Sequence, residues 1–144
     1  MKNKIFIFII FFLFNTNCLH ADEYEFDVSK ININEKGNII NAYNGTLFSP
    51  KNNLEISAKE FFYDKNKNIL KTFEGLAKLK KENLNLKFNK LNIKNNNILT
   101  ANNGIKINDL KNSLTIESET ITLDRLNNIL TANNGIKIND LKNS

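Results

Sequence analysis

The sequence of 144 residues is poor in the residues that most catalytic and metal sites need. It contains one cysteine, one histidine, one proline and no tryptophan. Cys18 and His20 both lie among the first 21 residues, so the rest of the chain offers neither a thiol nor an imidazole. This absence excludes a disulfide, a zinc site of the usual Cys and His type, and a cysteine or histidine nucleophile from residues 22–144. We expect no cofactor, no metal and no enzymatic activity.

The N-terminus carries the only long apolar run. Two lysines among the first four residues precede ten apolar residues, Ile5–Phe14. A bilayer-spanning helix needs about 20 such residues, so the run fits the apolar region of a secretory signal better. We expect residues 1–21 to be a signal peptide cleaved after Ala21 and residues 22–144 to be the folded domain. An uncleaved membrane anchor and a lipoprotein signal at Cys18 are the alternatives.

The charge balance gives no sign of a polyanionic partner. The residues after Ala21 hold 18 Lys and Arg and 15 Asp and Glu, a net charge of +3. The basic residues are scattered singly among acids and asparagines. Nucleic-acid-binding surfaces usually show a clustered basic face, so we expect no nucleic-acid partner.

A unit of eight residues that ends in glycine occurs four times, and its starts are 30, 29 and 31 residues apart. A phosphate-binding loop needs a glycine cluster that leads into a helix, whereas these glycines stand alone. An isolated glycine in a strand marks a bulge or a close approach of two backbones, so we assign Gly45, Gly75, Gly104 and Gly135 a structural role. The units are "NIINAYNG" at Asn38–Gly45, "NILKTFEG" at Asn68–Gly75, and "NILTANNG" at Asn97–Gly104 and Asn128–Gly135.

The segments between these units repeat with an offset of 30 residues and an apolar spacing of 2, 2, 3 and 2. Alternation by two places side chains on one face of a strand, and the step of three predicts a bulge or corner in mid-strand. Each repeat therefore reads as two strands. The sets are Tyr24, Phe26, Val28, Ile31, Ile33; Leu54, Ile56, Ala58, Phe61, Tyr63; Leu84, Leu86, Phe88, Leu91, Ile93; and Leu114, Ile116, Ser118, Ile121, Leu123.

The last glycine unit belongs to an exact duplication. The eighteen residues "NNILTANNGIKINDLKNS" occur at Asn96–Ser113 and again at Asn127–Ser144. The second copy ends at the point where a strand equivalent to that beginning at Leu114 should start. We therefore expect the domain to be incomplete at its C-terminus. A recent duplication and an error in the gene sequence both explain the identity.

These motifs resemble the OstA-like family of lipopolysaccharide transport, which includes LptA and the N-terminal domain of LptD. The likeness covers about residues 24–144. It is carried by "GNIINAYNGTLF", "NLEISAKEFFYDKNKNILKTFEGLAKL" and "SLTIESETITLDRLNNILTANNGIKI". The resemblance implies an all-β fold of stacked two-strand repeats of about 30 residues that form a twisted, open β-jellyroll. It also implies a non-enzymatic component of the periplasm that can associate with the outer membrane.

The resemblance further implies that lipid A acyl chains of lipopolysaccharide lie between the two sheets and that members join other OstA-like proteins edge to edge. The same apolar residues would equally fill a closed core, so the sequence does not distinguish an open groove from a closed core. The alternatives for its identity are an LptA-like protein, a truncated LptD and an LptC-like protein. The alternatives for its function are a closed solenoid adhesin and a carbohydrate-active enzyme. The residues that we expect to line the groove are Leu54, Ile56, Phe61, Tyr63, Leu84, Leu86, Phe88, Leu91, Ile93, Leu114, Ile116, Ile121 and Leu123.

Overall fold

The computed structural model describes residues 23–142, which form an all-β chain with two single-turn 3-10 helices, at Glu35–Gly37 and Pro50–Asn52. The part that it describes contains no helix long and apolar enough to cross a membrane. The predicted signal peptide lies outside the described residues. The strands are β1 Glu25–Asn34, β2 Ile39–Ser49, β3 Leu54–Asp64, β4 Ile69–Leu79, β5 Leu84–Lys94, β6 Ile98–Asp109, β7 Leu114–Asp124, β8 Ile129–Asn133 and β9 Lys137–Asp140.

The strands follow one another as an antiparallel meander in the order β1 to β8. Strand β9 continues β8 along the same edge of β7, so the fourth glycine unit and the residues after it supply two short strands instead of one. The sheet does not close on itself. The predicted all-β, open jellyroll of two-strand repeats is confirmed. The first three glycine units lie in β2, β4 and β6, the fourth begins at β8, and the 2-2-3-2 sets lie in β1, β3, β5 and β7.

A corner divides the strands near their middles. Between β2 and β3, Tyr43 pairs with Glu60 and Gly45 with Ala58, so one residue on each strand has no ladder partner at the corner. The even-numbered strands take left-handed backbone at this point, at Asn44, Glu74, Asn103 and Asn134. The step of three in each apolar set falls here, as predicted.

The corners fold the sheet into two layers that face each other. Phe26, before the corner of β1, packs edge-on against Phe61, after the corner of β3, with ring centroids 6.1 Å apart. We call the two sets of half-strands the first and the second layer. The first layer contains residues 25–28, 45–49, 54–58, 75–79, 84–88, 105–109, 114–118 and 137–140, and the second contains residues 30–34, 39–43, 60–64, 69–73, 90–94, 98–102, 120–124 and 129–133.

Because the corner residue is unpaired, the alternation of side chains shifts by one residue there. The apolar residues before the corner and those after it therefore both point into the space between the layers. Phe88, before the corner of β5, and Leu91, after it, are 2% and 0% exposed. Both halves of each 2-2-3-2 set therefore face inward. Tyr43 lies on the outer face, where the Lys30 ammonium sits 5.7 Å from its ring centroid.

The four glycines fall into two different roles. Gly45 and Gly75 lie where neighbouring strands approach closely, and a Cβ atom there would come within 2.1 Å of the Asp27 carbonyl oxygen or 2.4 Å of the Ser57 carbonyl oxygen. At Gly104 and Gly135 a Cβ would meet neighbours only at ordinary contact distance, 3.8 and 3.9 Å, but their φ angles are positive, +75° and +61°. In these two strands the corner holds one residue more than in β2 and β4. As a result Ile105, and not Gly104, pairs with Ser118 in the interior row.

Asp64 and Asp124 stabilise the hairpin turns that follow β3 and β7. The Asp64 carboxylate accepts a hydrogen bond from the backbone N–H of Lys67, at 3.1 Å. The Asp124 carboxylate accepts bonds from the N–H groups of Leu126 and Asn127, at 3.0 and 3.1 Å. Burial opposes ionisation of Asp64, but hydrogen bonds and the Lys67 charge outweigh it and lower its pKa. Hydrogen bonds from Asn127 lower the pKa of Asp124.

Candidate functional site

Twelve of the thirteen predicted groove residues, all except Leu114, come together in one interior between the two layers. Ten of the thirteen are buried, and Leu84, Leu114 and Ile116 are half-buried. The buried ones come from both layers and from strands β3, β5 and β7. In this structure they form the hydrophobic core. Their contact with lipid remains a prediction.

The interior side chains form rows that cross the sheet from one edge to the other, because directly paired residues on successive strands share a face. The central row of the first layer is Phe26, Leu47, Ile56, Ala77, Leu86, Ile107, Ile116 and Ile138. The row beside the turns of the second layer is Ile33, Ile40, Tyr63, Leu70, Ile93, Leu99, Leu123 and Leu130. Apart from the Tyr63 hydroxyl, both rows are apolar along their whole length.

Both rows are buried at the centre of the sheet. Each row is exposed at one end, and the two exposed ends lie at opposite edges of the sheet. Ile33, on the edge strand β1, is 58% exposed, and Ile138, on the edge strand β9, is 62% exposed. At the β1 edge the interior face of the second layer is not covered by the first layer. At the β9 edge the interior face of the first layer is not covered by the second layer. The two layers are therefore offset along the stack, which leaves an apolar shelf at each edge.

The centre of the interior is packed. The space among Leu86, Leu99, Ile107 and their neighbours amounts to a cavity of about 10 Å³. Such a volume is close to the minimum for one water molecule and cannot hold an acyl chain. In this state the middle of the jellyroll is a closed core, and an occupant between the layers would require them to part.

Each end of the packed centre has an open mouth. The N-terminal mouth has a volume of about 450 Å³ and is lined by apolar side chains that include Phe26, Ile31 and Ile33, with Glu23 and Lys65 among its polar residues. The C-terminal mouth has a volume of about 440 Å³. Leu84, Leu123 and Leu130 line both this mouth and the central cavity, and Lys81, Glu82, Asp109 and Lys111 add charged groups to the mouth.

A tyrosine pair lies at the N-terminal mouth. The rings of Tyr24 and Tyr63 meet edge to face with centroids 4.8 Å apart. The Tyr24 hydroxyl donates to the side-chain oxygen of Asn96, and the Tyr63 hydroxyl donates to the Glu23 carboxylate at 3.1 Å. Burial, and then the negative charge of Glu23, raise the pKa of Tyr24 far above its usual range. The Tyr24 hydroxyl therefore stays protonated and remains a hydrogen-bond donor.

An arginine joins three turns at the C-terminal mouth. Arg125, in the β7–β8 turn of the second layer, donates from Nε to Glu82 Oε1 at 2.6 Å and from Nη2 to Glu82 Oε2 at 3.2 Å. Glu82 lies in the β4–β5 turn of the first layer. The same Nη2 donates to the carbonyl oxygen of Asn52, in the β2–β3 turn, at 2.7 Å. The side chains of Arg125 and Glu82 are only 8% and 12% exposed.

Sequence reasoning missed both polar contacts because their partners lie far apart in the chain. Glu82 and Arg125 are separated by 43 residues and Tyr24 and Asn96 by 72. Neither pair stands in a local motif. Arg125 is the only arginine in the sequence, and this rarity was the one available signal.

The described residues offer no candidate metal-binding site. No group of three or more His, Cys, Asp or Glu side chains within residues 23–142 could hold a metal ion. What the arrangement offers is an apolar interior with two mouths and two open strand edges.

The fold has a counterpart among solved structures, although the sequence does not match known families. No family model and no curated protein matches the chain. The crystal structure of LptH from Pseudomonas aeruginosa, the LptA homologous periplasmic component of the conserved lipopolysaccharide transport device, superposes with a TM-score of 0.71. The match covers 81% of this chain and 93% of that one at 10% sequence identity. At this identity the likeness is one of fold, and the chain has the LptA-like, OstA-like jellyroll that the resemblance implied.

Proposed function

We propose that this protein is a non-enzymatic periplasmic component of lipopolysaccharide transport. In this proposal the acyl chains of lipid A lie between its two layers, and strand edges join it to neighbouring OstA-like proteins. The observation that carries the proposal is the pair of apolar rows that run from edge strand to edge strand and end uncovered. A closed globular core would have no reason to leave Ile33 and Ile138 more than half exposed at opposite ends.

The energetics favour a hydrocarbon occupant. Each CH₂ group that moves from water into an apolar interior contributes about 0.8 kcal/mol. The C-terminal mouth already presents an apolar surface that continues into the core through Leu84 and Leu123. An acyl chain that enters at this mouth can therefore extend along the rows as the layers part.

The edges favour strand addition. Strands β1 and β9 each leave one side without a partner among residues 23–142, and an unpaired edge is a template for another strand. The free edge of β8 and β9 repeats the residues of β6, whose equivalent edge pairs with β7. Strand β1 carries the same 2-2-3-2 spacing as β7. A second copy could therefore place its β1 against this edge as β7 lies against β6.

Photo-crosslinking in cells tests the lipid site. A photoreactive amino acid at Phe88 or Ile93, which are 2% and 1% exposed in the interior, should crosslink to lipopolysaccharide. The same residue at Lys87, an exposed neighbour of Phe88 that points outward, is the matched control and should not. Crosslinking at Lys87 alone, or at none of these positions, would contradict the proposal. The second outcome would favour a closed-core surface or adhesin-type structural protein, the alternative that the packed centre supports.

Adjacent residues on β1 test the edge. Ile33→Asp places a charge on the apolar shelf, whereas Asn32→Asp adds the same charge on the opposite face of the same strand. We expect Ile33→Asp to abolish concentration-dependent assembly measured by light scattering and Asn32→Asp to leave it unchanged. Equal assembly of both variants would rule out apolar continuity across this edge.

A further inference from the structure

The layers can part on one side only. At the corners every long strand passes from one layer to the other, so continuous backbone closes that side. The opposite side contains the hairpin turns of both layers, and within residues 23–142 no backbone crosses it. We call it the open side. An acyl chain that reaches the packed centre, with its cavity of about 10 Å³, must separate the layers there.

Arg125 spans the open side. Its guanidinium binds the Glu82 carboxylate through two nitrogens and the Asn52 carbonyl oxygen through one of them. Arg125 belongs to a turn of the second layer, and both partners belong to turns of the first. Two-pronged arginine–carboxylate bonds fix geometry as well as charge, so this contact sets the spacing between the turns.

The burial of the pair distinguishes it from the ion pairs on the surface. The Arg125 and Glu82 side chains are 8% and 12% exposed, whereas those of Lys59 and Glu74, at a corner, are 66% and 58% exposed. Exposed pairs contribute little to stability. A buried pair strongly opposes the loss of either partner, because the other charge would be left unpaired. Opening the layers, by contrast, would return both groups to water.

We propose that Arg125, Glu82 and the Asn52 carbonyl form a latch across the open side, and that an acyl chain enters between the layers only when this latch opens. The proposal rests on the proposed function, because it concerns admission to the same lipid site. Glu82 itself lines the C-terminal mouth, so the latch stands where the mouth meets the core. Arg125 is thus a gating residue and needs no contact with the acyl chain.

A reversible lock tests the latch. In a chain with Cys18→Ser, cysteines replace Glu82 and Arg125 and are joined by a bis-methanethiosulfonate linker, which reduction removes. Uptake of dansyl-labelled undecanoic acid is followed by fluorescence. We expect the locked protein to lose uptake and to regain it on reduction. The same linker between Lys59→Cys and Glu74→Cys, which joins two strands at a corner without bridging the layers, should leave uptake unchanged.

Charge removal tests the latch in the opposite direction. Arg125→Met and Glu82→Gln should each raise the association rate at least about tenfold, which corresponds to about 1.4 kcal/mol of lost latch free energy. Lys59→Met is the matched control and should not change the rate. Far-UV circular dichroism checks that each variant keeps its strands, and the lock experiment still decides the question if one does not.

The outcomes separate the latch from the function on which it rests. Failure of the unmodified protein to bind the fatty acid would contradict the lipid site itself. Binding by the unmodified protein, with equal uptake rates in the locked, unlocked and charge-removed forms, would overturn the latch and leave the lipid site standing. Loss of uptake in the corner-linked control as well as in the locked form would also overturn it.

Discussion

Gly75→Ala should destabilise the protein much more than Gly104→Ala, although both glycines end the same eight-residue unit. A Cβ on Gly75 would lie 2.4 Å from the Ser57 carbonyl oxygen, 2.8 Å from Ala58 Cβ and 2.9 Å from Phe88 Cζ. The nearest of these atoms is backbone, so relief requires β3 and β4 to shift apart. Overpacking of this kind costs about 1–3 kcal/mol, and we expect the upper end, near 3 kcal/mol.

At Gly104 the backbone conformation, and not a steric clash, limits the substitution. The nearest atom to a Cβ there is Asn89 Nδ2, at 3.8 Å, which is ordinary contact, and the φ angle is +75°. The cost of Gly104→Ala is therefore the left-handed backbone alone, about 1–2 kcal/mol. Asparagine tolerates this conformation better than other residues, so Gly104→Asn should cost less than about 1 kcal/mol. Gly75→Asn should cost at least as much as Gly75→Ala.

Urea unfolding followed by circular dichroism measures these differences as shifts in midpoint at constant slope. A double variant, Gly75→Ala with Phe88→Leu, separates the two kinds of clash. It should recover little stability, because the Ser57 carbonyl remains in place when the ring is removed. Full recovery would refute the view that the backbone approach is limiting. Equal tolerance of Asn at both positions would refute the distinction between the two glycines.

Three further perturbations probe the core, the C-terminal edge and the turns. Phe88→Ala removes a ring that is 2% exposed and should cost about 3–5 kcal/mol in urea unfolding. Ser118→Ala removes the hydroxyl that donates to the Asn133 carbonyl at 2.7 Å, and it should cost about 1–3 kcal/mol and speed hydrogen exchange first in β8. The pKa values of Asp64 and Asp124 are lowered, so the stability they contribute is present above about pH 4 and is lost as pH falls through their folded pKa values. Replacing both with Asn should flatten unfolding midpoints measured between pH 6 and pH 3, and an unchanged slope would contradict that assignment.

Local periodicity was sufficient to predict strands β1 to β7 of this protein, but not the division of the last segment into β8 and β9. The 2-2-3-2 sets mark β1, β3, β5 and β7, and the corner falls at the step of three in each. Such features depend on alternation along a single segment and on turn residues such as Asp64, which a sequence displays directly. The open meander follows because each strand pairs with the next one along the chain.

Long-range packing was not predictable in the same way. The contact of Arg125 with Glu82 depends on how far one layer is offset against the other, and no local pattern encodes that offset. The shift that places Ile105 in the interior row depends on one extra corner residue in β6, where the sequence shows only the same glycine unit again. Whether the interior is packed or open depends on the total volume of facing side chains. This volume can be judged only once the partners are known.

The duplicated eighteen residues show how much of this structure depends on neighbours. Both copies flank β7 in the same register, since Thr122 pairs with Thr100 on one side and Thr131 on the other. The inner copy forms the unbroken strand β6 with Ile107 2% exposed, whereas its equivalent at the edge, Ile138, is 62% exposed.

Identical sequences in an identical register against β7 differ here in what lies on their other side, in what lies across from them and in the chain that follows them. The local sequence alone therefore does not account for the break between β8 and β9. Full burial of one isoleucine side chain contributes about 1.5–3 kcal/mol. Ile138 is 62% exposed, so a strand that adds to the edge and covers it would gain about 1–2 kcal/mol. A partner strand with the spacing of β7 would give β8 and β9 the neighbour that β6 already has. We expect it to join them into one continuous strand.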